Sequence, residues 1–294
     1  MTQRRVTGRR ALLIAAISPA AISLAAISLA VLSLAACSAA ASPSPSATST
    51  PVPAPTEPTE LTILAAASLS DLLDAAKTAY ASTHDGVTLV ISTDSSAALE
   101  TKIEQGAPAD LFLSADTANP QKLVDKGLSA GEAVNFAGNA LAIIVPTDNP
   151  ARIESAADLA DDGVQVIAAG DEVPITRYAT QLVDRLAALP GYPSGFARSY
   201  ASNVLSREEN VKGIVAKIEL GEGDAGIVYA TDATAATSVR TIKVPPEAGV
   251  HVTYAAVIVK GSAHEGEAHA FLAWLTGPEG LSILQGLGFL PPPE

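Results

Sequence analysis

Two short polar turns hold the residues best placed to do chemistry. Ala65-Ala66-Ala67-Ser68-Leu69 runs from an apolar strand straight into a helical pattern, and Asp94-Ser95-Ser96-Ala97-Ala98-Leu99 does the same one unit later. A serine at such a junction has two uses. It can cap its own helix, as Ser and Asp commonly do. The free N–H groups and positive dipole end of the helix can instead receive an anion, with the serine hydroxyl as a further donor. Both uses are open for Ser68 and Ser96, and two such turns at strand ends favour a ligand site more than either alone, because open α/β folds bind ligands beyond the carboxyl ends of their strands. Nucleophilic use of Ser68 or Ser96, as in a secreted serine hydrolase, would need a nearby base. No histidine lies close to either in sequence, and His84 and His251 have no evident place.

Other patterns carry less. Gly221-x-Gly223-x-x-Gly226 fits the dinucleotide fingerprint by letter, but it follows a helix and precedes a strand, the reverse of what the fingerprint needs. His264 and His269 are five residues apart, about 140° around a helix, so they cannot share a face as a zinc-protease pair does. Asp71, Asp94, Asp116, Asp171 and Asp232 stand mostly at strand ends or helix starts, where Asp caps. There is no Gly-x-Ser-x-Gly elbow and no phosphate-binding Walker loop.

The elements that must position these turns alternate. Strand patterns at Leu61–Ala66, Val87–Ile91 and Leu111–Leu113 are interleaved with helical patterns over 70–81, 97–105 and 121–126. That βαβαβ rhythm predicts a parallel sheet covered by helices. Further strands are predicted at Leu141–Val145, Val164–Ala168, Gly226–Tyr229, Thr241–Val244 and Tyr254–Val259. Helices are expected near 178–188, 209–220 and 268–275, with another after Pro278. So many strands suit two α/β lobes better than one sheet.

The first sixty residues have a different character. Arg4, Arg5, Arg9 and Arg10 precede an apolar stretch over 11–36 that ends in Leu34-Ala35-Ala36-Cys37. This is the layout of an export signal; the competing reading is an uncleaved membrane span. Leu-Ala-Ala-Cys resembles the bacterial lipobox, which makes Cys37, the chain's single cysteine, the expected lipidation site and residues 1–36 a cleaved lipoprotein signal peptide. Residues 37–60, mostly Ser, Thr, Pro and Ala, read as a disordered spacer from membrane to domain. One cysteine excludes an internal disulfide framework. Removing 1–36 takes four arginines and no acids, so the formal charge goes from −13 to −13 − 4 = −17. Nucleic acid is a poor partner for such a chain, and membrane contact is expected through the lipid anchor only.

In order along the chain come Ala-Ala-Ser-Leu at 66–69, Ser95-Ser96, Gly-Ala-Pro-Ala-Asp-Leu-Phe at 106–112, Gly-Ile-Val-Tyr at 226–229 and Gly288-Phe289. This ordered set resembles the molybdate-binding components of bacterial ABC transporters, from Leu61 to about Leu290. The resemblance implies a type II periplasmic-binding-protein fold, α/β in class, with two lobes around a ligand cleft. It places lobe 1 at 61–140 plus 238–294 and lobe 2 at 141–237. It implies an extracytoplasmic protein that captures molybdate or tungstate, or else sulfate or another tetrahedral oxyanion, and hands it to permease subunits. No catalysis, no cofactor and a monomeric chain are expected. Carried over by position, the oxyanion contacts are Ser68, Ser96, Ile175, Val211 and Tyr229, all through hydroxyl or backbone N–H and with no direct cation ligand. Ile175 departs from the pattern, being bulky where relatives carry small residues after Pro174. Arg177 is open between approach to the anion and a solvated helix face.

Overall fold

The computed structural model describes residues 58–293, so the expected export signal, Cys37 and most of the expected spacer lie outside the described residues. The chain begins with β1 (Thr59–Ala66), which enters a single 3-10 turn at Ala67–Leu69 and then α1 (Ser70–Ala81). Next come β2 (Val87–Asp94), α2 (Ser96–Glu104), β3 (Leu111–Ser114) and α3 (Ala118–Asp125). β4 (Val134–Asn139) closes this half. β1 pairs in parallel with both β2 and β3, in the expected rhythm. Gly106 and Gly127, both at positive φ, end α2 and α3, a conformation that costs glycine nothing.

β5 (Leu141–Pro146) opens a second sheet, followed by β6 (Val166–Ala169), α4 (Pro174–Ala187), α5 (Phe196–Ser202) and β7 (Val204–Glu208). α6 (Val211–Glu219), β8 (Ala225–Tyr229), α7 (Ala230–Ala235) and β9 (Val239–Ile242) complete it. The chain then returns through β10 (Val252–Ile258), α8 (Glu265–Leu275) and α9 (Pro278–Gly286). The strand orders are β2-β1-β3-β10-β4 and β7-β6-β8-β5-β9. Each sheet with its helices forms one lobe, the two-lobed α/β arrangement that the resemblance implied. β9 pairs with β5 in the second sheet, so the return crossing follows Ile242 rather than residue 237.

Burial explains the layers. β3 is buried along its whole length, as a central strand covered on both faces must be. α4 buries Ile175, Tyr178, Ala179, Leu182, Val183 and Leu186 along one side, each large apolar side chain contributing roughly 1.5–3 kcal/mol. On the lobe 1 side, Leu72, Leu73, Ala76 and Tyr80 of α1 pack on the sheet, and Tyr80 meets Phe271 and Trp274 of α8 edge to face. The loop motif 221–226 joins α6 to β8, a helix-to-strand connection.

The chain end straps back onto the crossing strand. Gly138 of β4 exchanges backbone hydrogen bonds with Leu290, at 2.6 and 2.9 Å. A Cβ at Gly138 would sit 2.5 Å from the Pro291 carbonyl oxygen and 3.2 Å from the Leu290 Cβ. Both obstacles are close to the backbone and cannot swing aside, so Gly138→Ala is expected to destabilise the domain by about 1–3 kcal/mol in urea unfolding. An unchanged midpoint would show that the strap yields freely.

Candidate oxyanion site

The carboxyl ends of β1, β2 and β3 lie side by side, with Ala66 paired to Asp94 and Ala65 to Leu113. Ser68, Ser96 and Ala115 follow directly from those ends. They line a small cavity closed from the lobe 2 side by Val173, Pro174, Ile175, Asn210, Val211 and Tyr229. All five residues carried over by resemblance therefore converge on one place, and all are buried. The free space is about 10 Å3, roughly the room of one water molecule. No charged residue lines it.

Local structure separates the two uses open to each serine. In the second turn Ser95 is the cap: its side chain accepts from the Ala98 N–H at 3.3 Å. Ser96 is thereby the first helical residue, and its Oγ accepts from the Ala115 N–H at 3.0 Å. In the first turn the residue preceding α1 is Leu69, which offers no side-chain cap, and Ser68 sits inside the 3-10 turn. Ser68 Oγ accepts from the Tyr254 hydroxyl at 3.1 Å, and the Tyr254 hydroxyl accepts from Asn139 Nδ2 at 3.3 Å. Neither serine caps its helix. Each has its acceptor side occupied by a protein donor, which leaves its own O–H to point elsewhere.

The lobe 2 helices are set the same way. Pro174 starts α4 at a position where its missing N–H costs nothing, which leaves the Ile175 N–H in the first turn without an intrahelical acceptor. Asn210 caps α6 by accepting from the Gly213 N–H at 3.2 Å, and Val211 opens that helix. The Tyr229 hydroxyl is buried with no hydrogen-bond partner among the described residues. Burial, and then the neighbouring Tyr254, Tyr178, Asp116 and Asp232, push its pKa well above the ordinary value. It is a neutral O–H donor throughout the physiological range.

Formal charge stays at the rim, as pairs that join the lobes. Arg177 on α4 reaches Asp116, which follows β3, at 3.0 Å. Asp116 is almost wholly buried and also caps α3 through the Asn119 N–H. Arg177 thus neither solvates freely on its helix face nor lines the cavity. Lys212, next to Val211, lies 2.8 Å from Asp71 on α1 and 3.2 Å from the buried Asp232 on α7. Burial lowers the Lys212 pKa, but Asp232 and Asp71 outweigh it and the net shift is upward. Asp94 bonds Ser95 and Lys102, and exposed Asp171 pairs with Arg207.

Sequence reasoning missed Tyr254, Asn139 and Asp232 as participants. Nothing adjacent to them in the chain marks them, since Tyr254 meets Ser68 across a separation of 186 residues. No histidine lines the cavity: His84 stacks on Tyr80 at the far end of α1, and His264 contacts Asp110 near the start of β3. That Asp110, inside the recognisable Gly-Ala-Pro-Ala-Asp segment, ties the start of β3 to β1 by accepting from the Thr62 N–H at 2.7 Å.

Asp232 makes folding pH-dependent. Burial raises its pKa to about 6 from an ordinary 3.8, against the opposing pull of Lys212. The native state then holds this proton where the unfolded chain has released it, so stability falls as pH rises from about 4 to about 6, with the loss complete above that. Asp232→Asn should remove that slope in urea titrations across this window and leave the protein at least as stable at pH 7. A slope unchanged in the variant would assign it to other groups.

The profile of the family described as bacterial extracellular solute-binding protein matches residues 61–290. "Molybdate-binding protein ModA" of Mycobacterium tuberculosis is 32% identical over 247 residues, 82% of this chain and 90% of that protein. Among solved structures, the Azotobacter vinelandii periplasmic molybdate-binding protein superposes with a TM-score of 0.66 at 23% identity, over 79% of this chain and 100% of that one. The sulfate-binding protein SubI from Mycobacterium tuberculosis superposes with 0.68 at 22% identity, over 79% and 87%. The two structures share this chain's fold, and the fold is common to proteins named for different tetrahedral anions. With the profile spanning nearly every described residue, the chain belongs to the bacterial extracellular solute-binding proteins.

Proposed function

We propose that the protein captures molybdate or tungstate outside the cell and delivers it to the permease subunits of an ABC importer, without chemistry on the ligand. One observation carries the choice of a fully deprotonated oxyanion. Every side-chain oxygen lining the cavity other than that of Tyr229 already accepts a hydrogen bond from the protein: Ser68 from Tyr254, Ser95 from Ala98, Ser96 from Ala115 and Asn210 from Gly213. The hydroxyls of Ser68, Ser96 and Tyr229 and the amides of Ser68, Ser96, Ile175 and Val211 are then donors for the anion. Molybdate, tungstate and sulfate want only donors at neutral pH, whereas phosphate keeps a proton that a carboxylate would accept, and no carboxylate lines the cavity. A hydrolase reading of Ser68 or Ser96 lacks a base, because the groups bonded to both serines are donors.

The dianion needs no counter-ion in this reading. Aligned N–H and O–H dipoles, several at helix N-termini, replace its hydration, each charge-assisted bond contributing roughly 1.5–3 kcal/mol. The 32% identical relative named for molybdate supports that anion over sulfate, and cavity size is what would separate them. Residues 1–36 would be removed on export and Cys37 acylated, leaving a monomer on the outer face of the cytoplasmic membrane with residues 37–60 as its tether.

Calorimetric titration with molybdate, tungstate, sulfate and phosphate tests the ligand. Tight binding of the first two, weaker sulfate and no phosphate heat are expected; sulfate heat with none from molybdate or tungstate would reverse the assignment. Ser68→Ala and Ser96→Ala should each weaken molybdate binding by about 1–3 kcal/mol, because each variant keeps its amide. Tyr254→Phe, which leaves the cavity lining intact but frees the Ser68 hydroxyl to rotate, should cost about 1 kcal/mol, near fivefold in affinity. Unchanged affinity in both serine variants would move the site elsewhere. For the tether, fatty-acid labelling of the expressed protein should vanish in Cys37→Ser, and persistent label would refute it.

A further inference from the structure

Lobe 2 contains a second, much larger cavity on the opposite side of Ile175. Its free space is about 170 Å3, against about 10 Å3 on the same measure for the cavity between the lobes. The second sheet provides its floor through Ile167 and Ile227, α4 one wall through Ile175 and Ala179, and α5 the other through Ala197 and Tyr200. The space exists because alanines stand where the facing helices α4 and α5 would otherwise interlock large side chains. Protein interiors hold few voids larger than a water molecule, and an engineered apolar void of about 150 Å3 stays dry and binds benzene. This cavity has the size and lining for an aromatic ring.

A second feature specifies more than apolar bulk. Burial pushes the Tyr200 hydroxyl up to about 12, and no other described residue hydrogen-bonds it. Tyr200 is half-buried, so its hydroxyl is free to meet a guest in the cavity. The mouth carries exposed Asp171, Asp184 and Arg207, with Arg207 already paired to Asp171 at 3.0 Å. Two carboxylates against one guanidinium disfavour an anionic guest.

We propose that lobe 2 carries a second ligand site, separate from the anion cavity, for a neutral aromatic molecule with one hydrogen-bonding group that Tyr200 would meet. Ile175 lines both cavities.

Indole is the probe, and benzoate its anionic counterpart, in calorimetry and thermal unfolding of the full folded domain. Indole should bind and raise the unfolding temperature, as any ligand of the native state alone does. Benzoate should bind at least about tenfold more weakly, since its carboxylate must shed water beside Asp171 and Asp184. Ala179→Leu and Ala197→Leu each fill the cavity from a different helix. Cooperative unfolding by circular dichroism shows which variants fold, and those that do should lose the indole response. No indole response in the unmodified protein, equal binding of benzoate, or an undiminished response in the folded variants would overturn the proposal. Molybdate titration of the same variants reads the smaller cavity by itself, so failure of either reading is distinguishable from failure of the other.

Discussion

The structure depends on keeping hydrogen-bond acceptors away from one small cavity. Ser68 and Ser96 could face it with lone pairs, and in the proposed function a dianion would then be repelled by its own contacts. The Tyr254 hydroxyl and the Ala115 N–H counter this by each engaging a lone pair from behind and orienting the serine O–H. Asn139, at the last residue before the chain crosses to lobe 2, fixes Tyr254 in turn and also donates to Thr231 at 2.9 Å. One short relay of donors thus connects the crossing segment, the C-terminal strand β10 and the first helix turn. A buried network of this kind rewards complete satisfaction and penalises a missing member.

The same logic sets where charge is allowed. The chain carries a formal charge of −13, yet no acid lines the cavity. The acids nearest to it, Asp116, Asp71 and Asp232, are each held by a cation, Arg177 or Lys212. Those cations sit one or two residues beyond the helix positions Val211 and Ile175, so the pairs both neutralise the rim and fasten the two lobe 2 helix starts to lobe 1.

Much of the framework was legible in the sequence because it rests on local signals. The strand–helix alternation from Leu61 to Lys126 follows apolar periodicity, with Gly106 and Gly127 as stops, and those elements lie where the pattern put them. β4, α5, β7 and α7 were not legible. Val-Asn-Phe-Ala-Gly-Asn in β4 has little β-branched content, α5 and α7 are under two turns or barely more, and β7 is an edge strand without a full apolar face. β9 was visible as a strand, but its sheet was not, since pairing partners are a tertiary choice. At the site, the two serine turns were visible as ambiguous caps. Their resolution needed Ser95 beside Ser96 and Tyr254 behind Ser68, and the second of these is a contact no window along the chain can contain. Asp232 looked like one more helix-start aspartate, and only its burial distinguishes it.

Two aromatic clusters differ in what they can report. Trp274, the chain's single tryptophan, packs against Tyr80 and Phe271 and donates its indole N–H to Glu279, on the helices of lobe 1. Tyr80 is twelve residues along from Ser68, about 18 Å at helical rise. Tyr178, Tyr229 and Tyr254 form a contiguous stack beside the anion cavity instead, with ring centroids 6.4 and 5.6 Å apart. Tryptophan emission therefore reports the integrity of lobe 1 and is nearly blind to the cleft, whereas tyrosine absorbance carries the signal of whatever enters between the lobes.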